Sequence, residues 1–173
     1  MLNSGIDAPN KGSLVRVSEA CDADLHAGNL TGWQQEYDQT SRGGFYGRIV
    51  ELPFDGLQVF CEHTSQALQQ KCVVWPDSVW LGIPHANQES SRINGLTIRQ
   101  GLVVDKSTLT DMALIHGVDL NWKELTEHGR LGVPDKILEE VRFLLGRLLL
   151  VESKESPSRL QHDIVMMALL EVL

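Results

Sequence analysis

Residues 45–64 read FYGRIVELPFDGLQVFCEHT, and this stretch decides the fold of the chain. Two runs rich in apolar and β-branched residues, Phe45–Leu52 and Leu57–Thr64, are separated by the turn residues Pro53-Phe54-Asp55-Gly56. Runs of this length on either side of a turn predict two antiparallel strands that lie side by side.

The second of these runs is apolar on both of its faces. Successive side chains of a strand point to opposite sides, so Phe60 shares one face with Gln58 and Glu62, while Val59 and Cys61 lie on the other. This pattern predicts a strand that is covered on both faces or borders a small internal cavity, and not one face of an open sheet in water.

Further short runs follow, each bounded by Gly, Pro, Asn or Asp. Strands of this length at this spacing predict an antiparallel sandwich or barrel. The predicted strands are Ala67–Val74, Ser78–Ile83, Leu96–Val104 and Met112–Val118.

The N-terminal part has a different pattern. Residues 1–18 mix Asn, Ser, Gly, Pro and Lys and predict a flexible lead. Residues 22–38 have a helical period, in which Leu30, Trp33 and Tyr37 share one face. Asp22 or Asp24 could cap the start of this helix, and Gly28 or Gly32 could break it in two.

After Pro134 the helical pattern returns. A first helix carries a continuous apolar stripe, and a second helix runs from about Arg159 to the end of the chain. We predict a helical hairpin that joins two copies of the chain through this stripe. The predicted dimerisation residues are Val141, Leu144, Leu145, Leu148 and Leu149. A stripe that packs only on its own β domain is the alternative, and a stripe this wide could serve both purposes.

The charge of the chain excludes some functions. The 23 acidic residues outnumber the 15 Lys and Arg residues and give a net charge of −8 at pH 7. Nucleic-acid-binding surfaces require clustered positive charge, so we expect no direct contact with DNA or with an anionic membrane. The longest nearly uncharged apolar stretch, residues 143–151, is too short to span a bilayer.

The cysteines indicate the compartment. Cys21, Cys61 and Cys72 are odd in number and form no Cys-x-x-Cys pair, which is typical of a reduced, cytoplasmic protein. No apolar run follows Met1 that would predict a secretory signal.

Several segments match a known family at consistent spacing, which is more specific than any single short motif. They are Gly32–Gln39, Gly44–Gly47, Leu57–Phe60, Cys72–Ser78 and Gly82–Pro84. Together they resemble the sensory domain of AraC-type transcription regulators, in the branch of the ethanolamine-utilisation and other amine-responsive activators. The resemblance covers residues 22–118 in register, and the C-terminal helices match in pattern only.

This resemblance implies a mainly β, α+β fold: a cupin-like jelly-roll barrel that holds a small effector, followed by a dimerising helical hairpin. We expect the effector-binding domain at residues 19–132 and the hairpin at residues 133–173. In the family a pair of helix-turn-helix motifs comes next. Because the helical pattern stops at Leu173 without a capping signal, we expect a chain cut before its DNA-binding half, through which alone it would contact DNA.

The predicted effector-binding residues are Phe60, Glu62, Trp75 and Trp80. An aromatic wall beside a carboxylate suits a small ammonium ligand, and the resemblance also favours an amine or amino alcohol. Each of these residues has an alternative interpretation, since Trp and Phe in strands commonly belong to the core and Glu62 could face solvent.

Two other functions are alternatives to a sensory domain. A standalone cupin-type metal enzyme, such as an isomerase or dioxygenase, needs converging histidines and a carboxylate. None of the six histidines forms His-x-His, although His63 and His116 could meet on neighbouring strands. We predict no catalytic residue, no metal site and no cofactor. An interaction module with a filled barrel and no effector is the other alternative.

Overall fold

The computed structural model describes residues 15–83, 92–93, 96–127, 131–150 and 158–173. Within them the chain forms eight strands and five helices. The strands are β1 (Arg16–Ala20), β2 (Gln34–Gln39), β3 (Gly47–Phe54), β4 (Leu57–Thr64), β5 (Leu68–Val73), β6 (Ser78–Ile83), β7 (Arg92–Ile93) and β8 (Leu96–Asp105). The helices are α1 (Ala23–Ala27), α2 (Lys106–His116), α3 (Trp122–Glu127), α4 (Asp135–Leu150) and α5 (Arg159–Val172).

All strand pairs of the described residues are antiparallel. A six-stranded sheet has the order β1-β3-β4-β8-β6, with β7 also paired to β8, and a separate two-stranded sheet pairs β2 with β5. The predicted mixed α+β fold, with antiparallel sheets and C-terminal helices, is therefore confirmed. The predicted barrel is not observed, because β1 and β6 remain separate edges of the large sheet within the described residues.

The β3–β4 hairpin lies where the sequence predicted two antiparallel strands. β4 has the predicted bounds, whereas β3 begins and ends two residues later than predicted, so that Phe54 pairs with Leu57 and only Asp55 and Gly56 form the turn. Gly56 has φ 68°, a left-handed conformation that favours glycine. Pro53 is tolerated inside β3 because, among the described residues, β1 pairs with β3 only as far as Glu51 and no described strand pairs with Pro53 on that side.

The large sheet is covered on both faces, as the apolar pattern of β4 predicted. On one face, α2, α4 and α5 pack against β3, β4 and β8 and enclose the main core. Val59, Leu102 and Val104 of the sheet meet Leu145 and Met166 of the helices there. On the other face a smaller cluster of Leu30, Ile49, Phe60, Trp75 and Val103 lies under α1 and the small sheet.

Two predicted elements were wrong. The helix predicted for residues 22–38 ends at Ala27, and residues 34–39 instead form β2. Asp22 does cap α1 and Gly28 does end it, but Gly32 then adopts φ 77° and redirects the chain into a strand that pairs with β5. The strand predicted at Met112–Val118 is instead the end of α2 and the turn after it, because Leu109, Met112 and Ala113 pack at helical spacing and Gly117 ends the helix.

The predicted flexible lead also needs correction. Residues 1–14 lie outside the described residues, but Arg16–Ala20 form strand β1, which pairs with β3 from Arg16–Glu51 to Ala20–Gly47. The hairpin helices are confirmed as α4 and α5. Residues 151–157, between these two helices, lie outside the described residues, and Ser158 caps α5. None of the helices described here combines the length and the apolar character needed to cross a bilayer.

The stripe predicted to join two copies is mostly buried within the subunit. Val141, Leu145, Leu148 and Leu149 are at most 8% exposed and belong to the core shared with the sheet, and Leu144 is partly buried against the same core. The alternative interpretation, packing on its own β domain, therefore accounts for these five residues. The apolar side chains that α4 leaves exposed are Phe143 and Leu150.

Candidate functional site

A cavity of about 800 Å³ lies beside the edge strand β6. Trp80 and Gly82 line it from one face of β6, and Val79, Leu81 and Ile83 line it from the other. The cavity thus passes around the edge of the large sheet, from the side of the small sheet to the side of the helices. Its volume is in the range of small-molecule sites in proteins.

Aromatic rings form one wall of the cavity. Trp33 meets Phe60 edge-on, with ring centroids 5.2 Å apart, and meets Trp80 in the same way at 5.8 Å. The Trp33 indole nitrogen donates a hydrogen bond of 2.8 Å to the Gln58 side chain, which fixes the ring. Trp80 remains 48% exposed, so part of its surface is open to an incoming molecule.

The floor beside this wall is made of glycine. Gly101 pairs with Phe60 of β4 and with Gly82 of β6, so the three residues form one row across the sheet. A side chain on Gly101 would overlap the Phe60 ring, since an added Cβ would lie 2.8 Å from its Cζ atom. Gly82 lines the cavity and Gly101 lies beneath the Phe60 ring, so this glycine floor adds no side chain to the cavity beside the aromatic wall.

Glu62 is the polar centre of the same side of the cavity. Its side chain is only 6% exposed, yet it has four partners. His26 and Tyr37 lie 3.1 Å and 2.9 Å from Oε1, whereas Gln70 lies 3.1 Å and Arg99 3.5 Å from Oε2. Burial alone raises the pKa of Glu62, but these hydrogen bonds and the positive charge of Arg99 outweigh it and lower the pKa. The carboxylate is therefore charged at neutral pH and already fully bonded.

The partners of Glu62 come from four elements of the fold. Tyr37 lies on β2 and Gln70 on β5, the two strands of the small sheet, and His26 lies on α1. Arg99 lies on β8, directly opposite Glu62 in the register. Burial, followed by the nearby Glu62 charge, raises the pKa of the Tyr37 phenol, so Tyr37 acts as a neutral hydrogen-bond donor. The network fastens the small sheet and α1 onto the large sheet.

A second buried carboxylate, Glu51, lies on the same face of the large sheet, directly opposite Phe60 in the register. It accepts hydrogen bonds from the Thr31 backbone at 3.1 Å and from Gln58 at 2.7 Å, and it pairs with Arg16 at 3.2 Å. Gln58 links Glu51 to the Trp33 ring described above. These contacts hold the aromatic wall in place and are structural.

Three of the four predicted effector-binding residues, Phe60, Glu62 and Trp80, line the cavity. Trp75 does not: it is 3% exposed, and its indole nitrogen donates a 2.6 Å hydrogen bond to Asp105. The core interpretation is therefore correct for Trp75. Arg99 and Gln70 also line the cavity but were not predicted as binding residues, and Trp33 and Tyr37 were predicted on a helix.

In the described ranges no three His, Cys, Asp or Glu side chains are arranged to hold a metal ion. His116, predicted on a strand near His63, lies at the end of α2. The Cys61 sulfur lies 3.9 Å from the His63 ring, but burial raises the pKa of the Cys61 thiol to about 12, which leaves it protonated and unreactive.

No family model matches the chain, and no solved structure matches it significantly. The fold and the cavity therefore define a class only: a mixed α+β domain with a small-molecule-sized cavity between its sheets and its C-terminal helices.

Proposed function

We propose that this chain is the ligand-sensing and dimerising domain of a bacterial transcription regulator of the AraC type, acting in the cytoplasm. The observation that carries the proposal is the cavity, with its aromatic wall, its glycine floor and its buried polar centre. Small-molecule sites combine mostly apolar linings with a few fixed polar groups in this way. The two facing sheets are then an open version of the cupin-like jelly roll that the resemblance implies.

The position of the helices supports a regulatory role. Val141 and Leu145 of α4 and Leu169 of α5 line the cavity and also belong to the main core. A ligand that fills the cavity would therefore contact the hairpin directly. If the hairpin has two arrangements, a ligand that prefers one of them shifts the population toward it.

Dimerisation in this proposal uses a different surface from the predicted one. The side chains of Phe143, Leu150, Leu160, Ile164 and Met167 on α4 and α5 are between 38% and 77% exposed. Clusters of exposed apolar residues on a helical pair are typical of protein–protein interfaces. Two copies joined there would present two DNA-binding domains, supplied by a segment outside this chain, to paired half-sites.

The proposed effector is a small molecule with an apolar body. The sequence-based expectation of an amine depended on Glu62 as a free carboxylate. Glu62 instead has four protein partners, so an ammonium group would have to displace one of them. The charge of the effector is therefore a separate question from its existence.

Filling the cavity tests the proposal. Gly82 lines the cavity, and a Cβ added there would lie at an ordinary contact distance of 3.4 Å from Trp80, so Gly82→Leu fills space without a backbone clash. Thermal shifts are measured with a panel of amines, amino alcohols, carboxylates and neutral metabolites. A ligand present at a hundred times its Kd stabilises the folded state by about 2.7 kcal/mol, which raises Tm by several degrees.

The expected result is that at least one compound raises the Tm of the wild type but not that of Gly82→Leu. Gly44→Leu is the matched control, because Gly44 has open space around it and does not line the cavity. A panel that stabilises neither protein, or stabilises wild type and Gly82→Leu equally, would count against a ligand in this cavity.

A further inference from the structure

We infer that the ligand is a carboxylate with an apolar body, and that Arg99 binds its anionic group. The inference rests on the proposed ligand site and specifies the chemical class that the site takes. Three observations on the described residues carry it: the state of Arg99, the state of Glu62, and the distribution of charge around the cavity.

Arg99 has binding capacity that the protein does not use. Its Nη1 atom is buried and makes no hydrogen bond, and its approach to Glu62 Oε2 at 3.5 Å is an ion pair without hydrogen-bond geometry. The side chain as a whole is 37% exposed and lines the cavity. A guanidinium carries five donors arranged to hold a carboxylate through two parallel hydrogen bonds.

Glu62 cannot play the matching role for a cation. Its two oxygens already receive His26, Tyr37 and Gln70 in addition to the charge of Arg99. A buried carboxylate with this many donors gains little from another one, whereas a buried nitrogen without a hydrogen bond gains a full partner. Among the cavity-lining residues on the Arg99 face of β8, the group without a hydrogen bond is therefore a donor, whereas the unpartnered acceptor Gln100 Oε1 lies on the opposite face of the strand.

The surroundings define the rest of the ligand. Arg99 is the only Lys or Arg among the described residues that line the cavity. Along the inner face of the sheet, the row of Phe60, Gly101 and Gly82 lies between Arg99 and Trp80, and Trp33 packs edge-on against the Phe60 and Trp80 rings. A molecule whose carboxylate reaches Arg99 would lay an aryl or alkyl body across the glycine row and against these rings.

The test compares ligands that share one body and differ in their polar group. Calorimetric titrations at neutral pH use 4-phenylbutyrate, 4-phenylbutylamine and 4-phenylbutanamide, and the matched hexanoate, hexylamine and hexanamide. We expect a carboxylate to bind more tightly than its amine and its amide. Arg99→Met should weaken carboxylate binding about 10- to 100-fold, the effect of losing a hydrogen bond to a charged group. The amide should change by less than about threefold, and Arg99→Lys should restore part of the lost affinity.

Arg48→Met is the matched control, since Arg48 is a partly exposed arginine on β3 that pairs with Glu19 at 3.6 Å and does not line the cavity. It should leave all affinities unchanged. The wild-type comparison of each carboxylate with its amine needs no variant and separates the two charge signs, because an ammonium held by Glu62 would bind more tightly than the carboxylate. This comparison keeps the inference testable if Arg99→Met does not fold.

Three results would overturn the inference. One is an amine that binds better than its carboxylate, another is an equal loss of all three compounds in Arg99→Met, and the third is the absence of binding by any carboxylate. In the first case, loss of amine binding in Gly82→Leu would still support a ligand site in the cavity, so the failure of this inference is distinguishable from failure of the proposed function.

Discussion

At the scale of single residues, the central feature is a charged carboxylate kept inside the protein. Removing a carboxylate from water is costly unless hydrogen bonds and an opposite charge replace the water. Glu62 receives both from four separate elements, so the same contacts that stabilise its charge also join those elements. Removing a donor therefore affects the stability of the whole domain.

The Tyr37 hydroxyl tests this view. It lies 2.9 Å from Glu62 Oε1 and 2.6 Å from the side-chain oxygen of Gln35. A hydrogen bond to a buried charge contributes about 1.5–3 kcal/mol, so Tyr37→Phe should lower the free energy of unfolding by about that amount in urea titrations. Tyr46→Phe removes the same hydroxyl from an exposed bond to Glu19 and should change it by less than about 0.5 kcal/mol. Equal effects of the two variants would refute the role of Tyr37.

The lowered pKa of Glu62 predicts the acid dependence of stability. The unfolded chain takes up a proton near the ordinary value of 4.5, but the folded chain does so only at lower pH. The stabilisation is thus complete above about pH 4.5 and is lost as the pH falls through the folded pKa, because the unfolded state binds more protons there. Glu62→Gln should flatten this acid limb of the free energy of unfolding.

Urea titrations between about pH 3 and pH 6 measure this slope. The matched control is Glu36→Gln, since Glu36 is 80% exposed and its ion pair with Lys71 is solvated. It should keep the wild-type slope. If Glu62→Gln also keeps that slope, Glu62 does not carry the predicted linkage.

The sequence predicted only part of this site, for a local reason. Alternation along β4 was enough to place Phe60 and Glu62 on one face. Arg99 was not predicted, because only the long-range pairing of β4 with β8 sets it opposite Glu62. Trp75 and Trp80 both flank the same turn, and nothing local distinguishes the one that bonds to Asp105 from the one that borders the cavity.

At the scale of elements, the close packing of α1 on β3 depends on one glycine. Gly47 begins β3 directly beneath the fully buried His26 ring, and an added Cβ would overlap that ring. The ring cannot move away easily, because Tyr37 and Phe45 lie with their centroids 5.8 Å and 5.3 Å from it. The position of His26, and so its hydrogen bond to Glu62, requires glycine here.

Gly47→Ala should therefore lower the free energy of unfolding by about 1–3 kcal/mol, as overpacking of a core does. Gly44→Ala is the control: Gly44 also lacks a positive φ but has nothing within 4 Å of its added Cβ, so its substitution should be nearly neutral. Chemical denaturation of both variants decides the matter. A Gly47→Ala protein as stable as the wild type would show that α1 can shift without cost.

The errors in predicted elements have a common cause. The run from Met112 to Val118 is apolar enough for a strand, but Leu109, Met112 and Ala113 have helical spacing, and the helix forms because these residues pack on the core. Residues 34–39 have a pattern that suits either structure, and pairing with β5 decides for a strand. Tertiary contacts override local pattern in both segments.

At the scale of the whole molecule, the two parts predicted as separate units share one core. Val141 and Leu145 of the hairpin pack on Val59 and Leu102 of the sheet, so the leucine stripe predicted for dimerisation is buried within the subunit. Closure of a barrel depends on contacts between residues distant in sequence. So does the choice of whether the apolar stripe of α4 packs within its own subunit or against a second copy. Hydrophobic periodicity contains no information on such contacts. What periodicity did report is a succession of strands between residues 45 and 104 and two helices after Pro134.

The surface left exposed predicts the assembly. Phe143 is 71% exposed on α4, and Leu160 is 69% exposed on α5. If two copies meet through these helices, Phe143→Glu and Leu160→Glu should each raise the Kd of the dimer about tenfold or more, because a charge would be buried without a partner. Sedimentation velocity across a concentration series measures this constant. Leu114→Glu, at a 79% exposed position on α2, should leave it unchanged. A wild-type chain that stays monomeric at all concentrations would rule out this surface. So would a dimer that Leu114→Glu weakens as much as the other two substitutions, because Leu114 lies on α2 and outside the proposed interface.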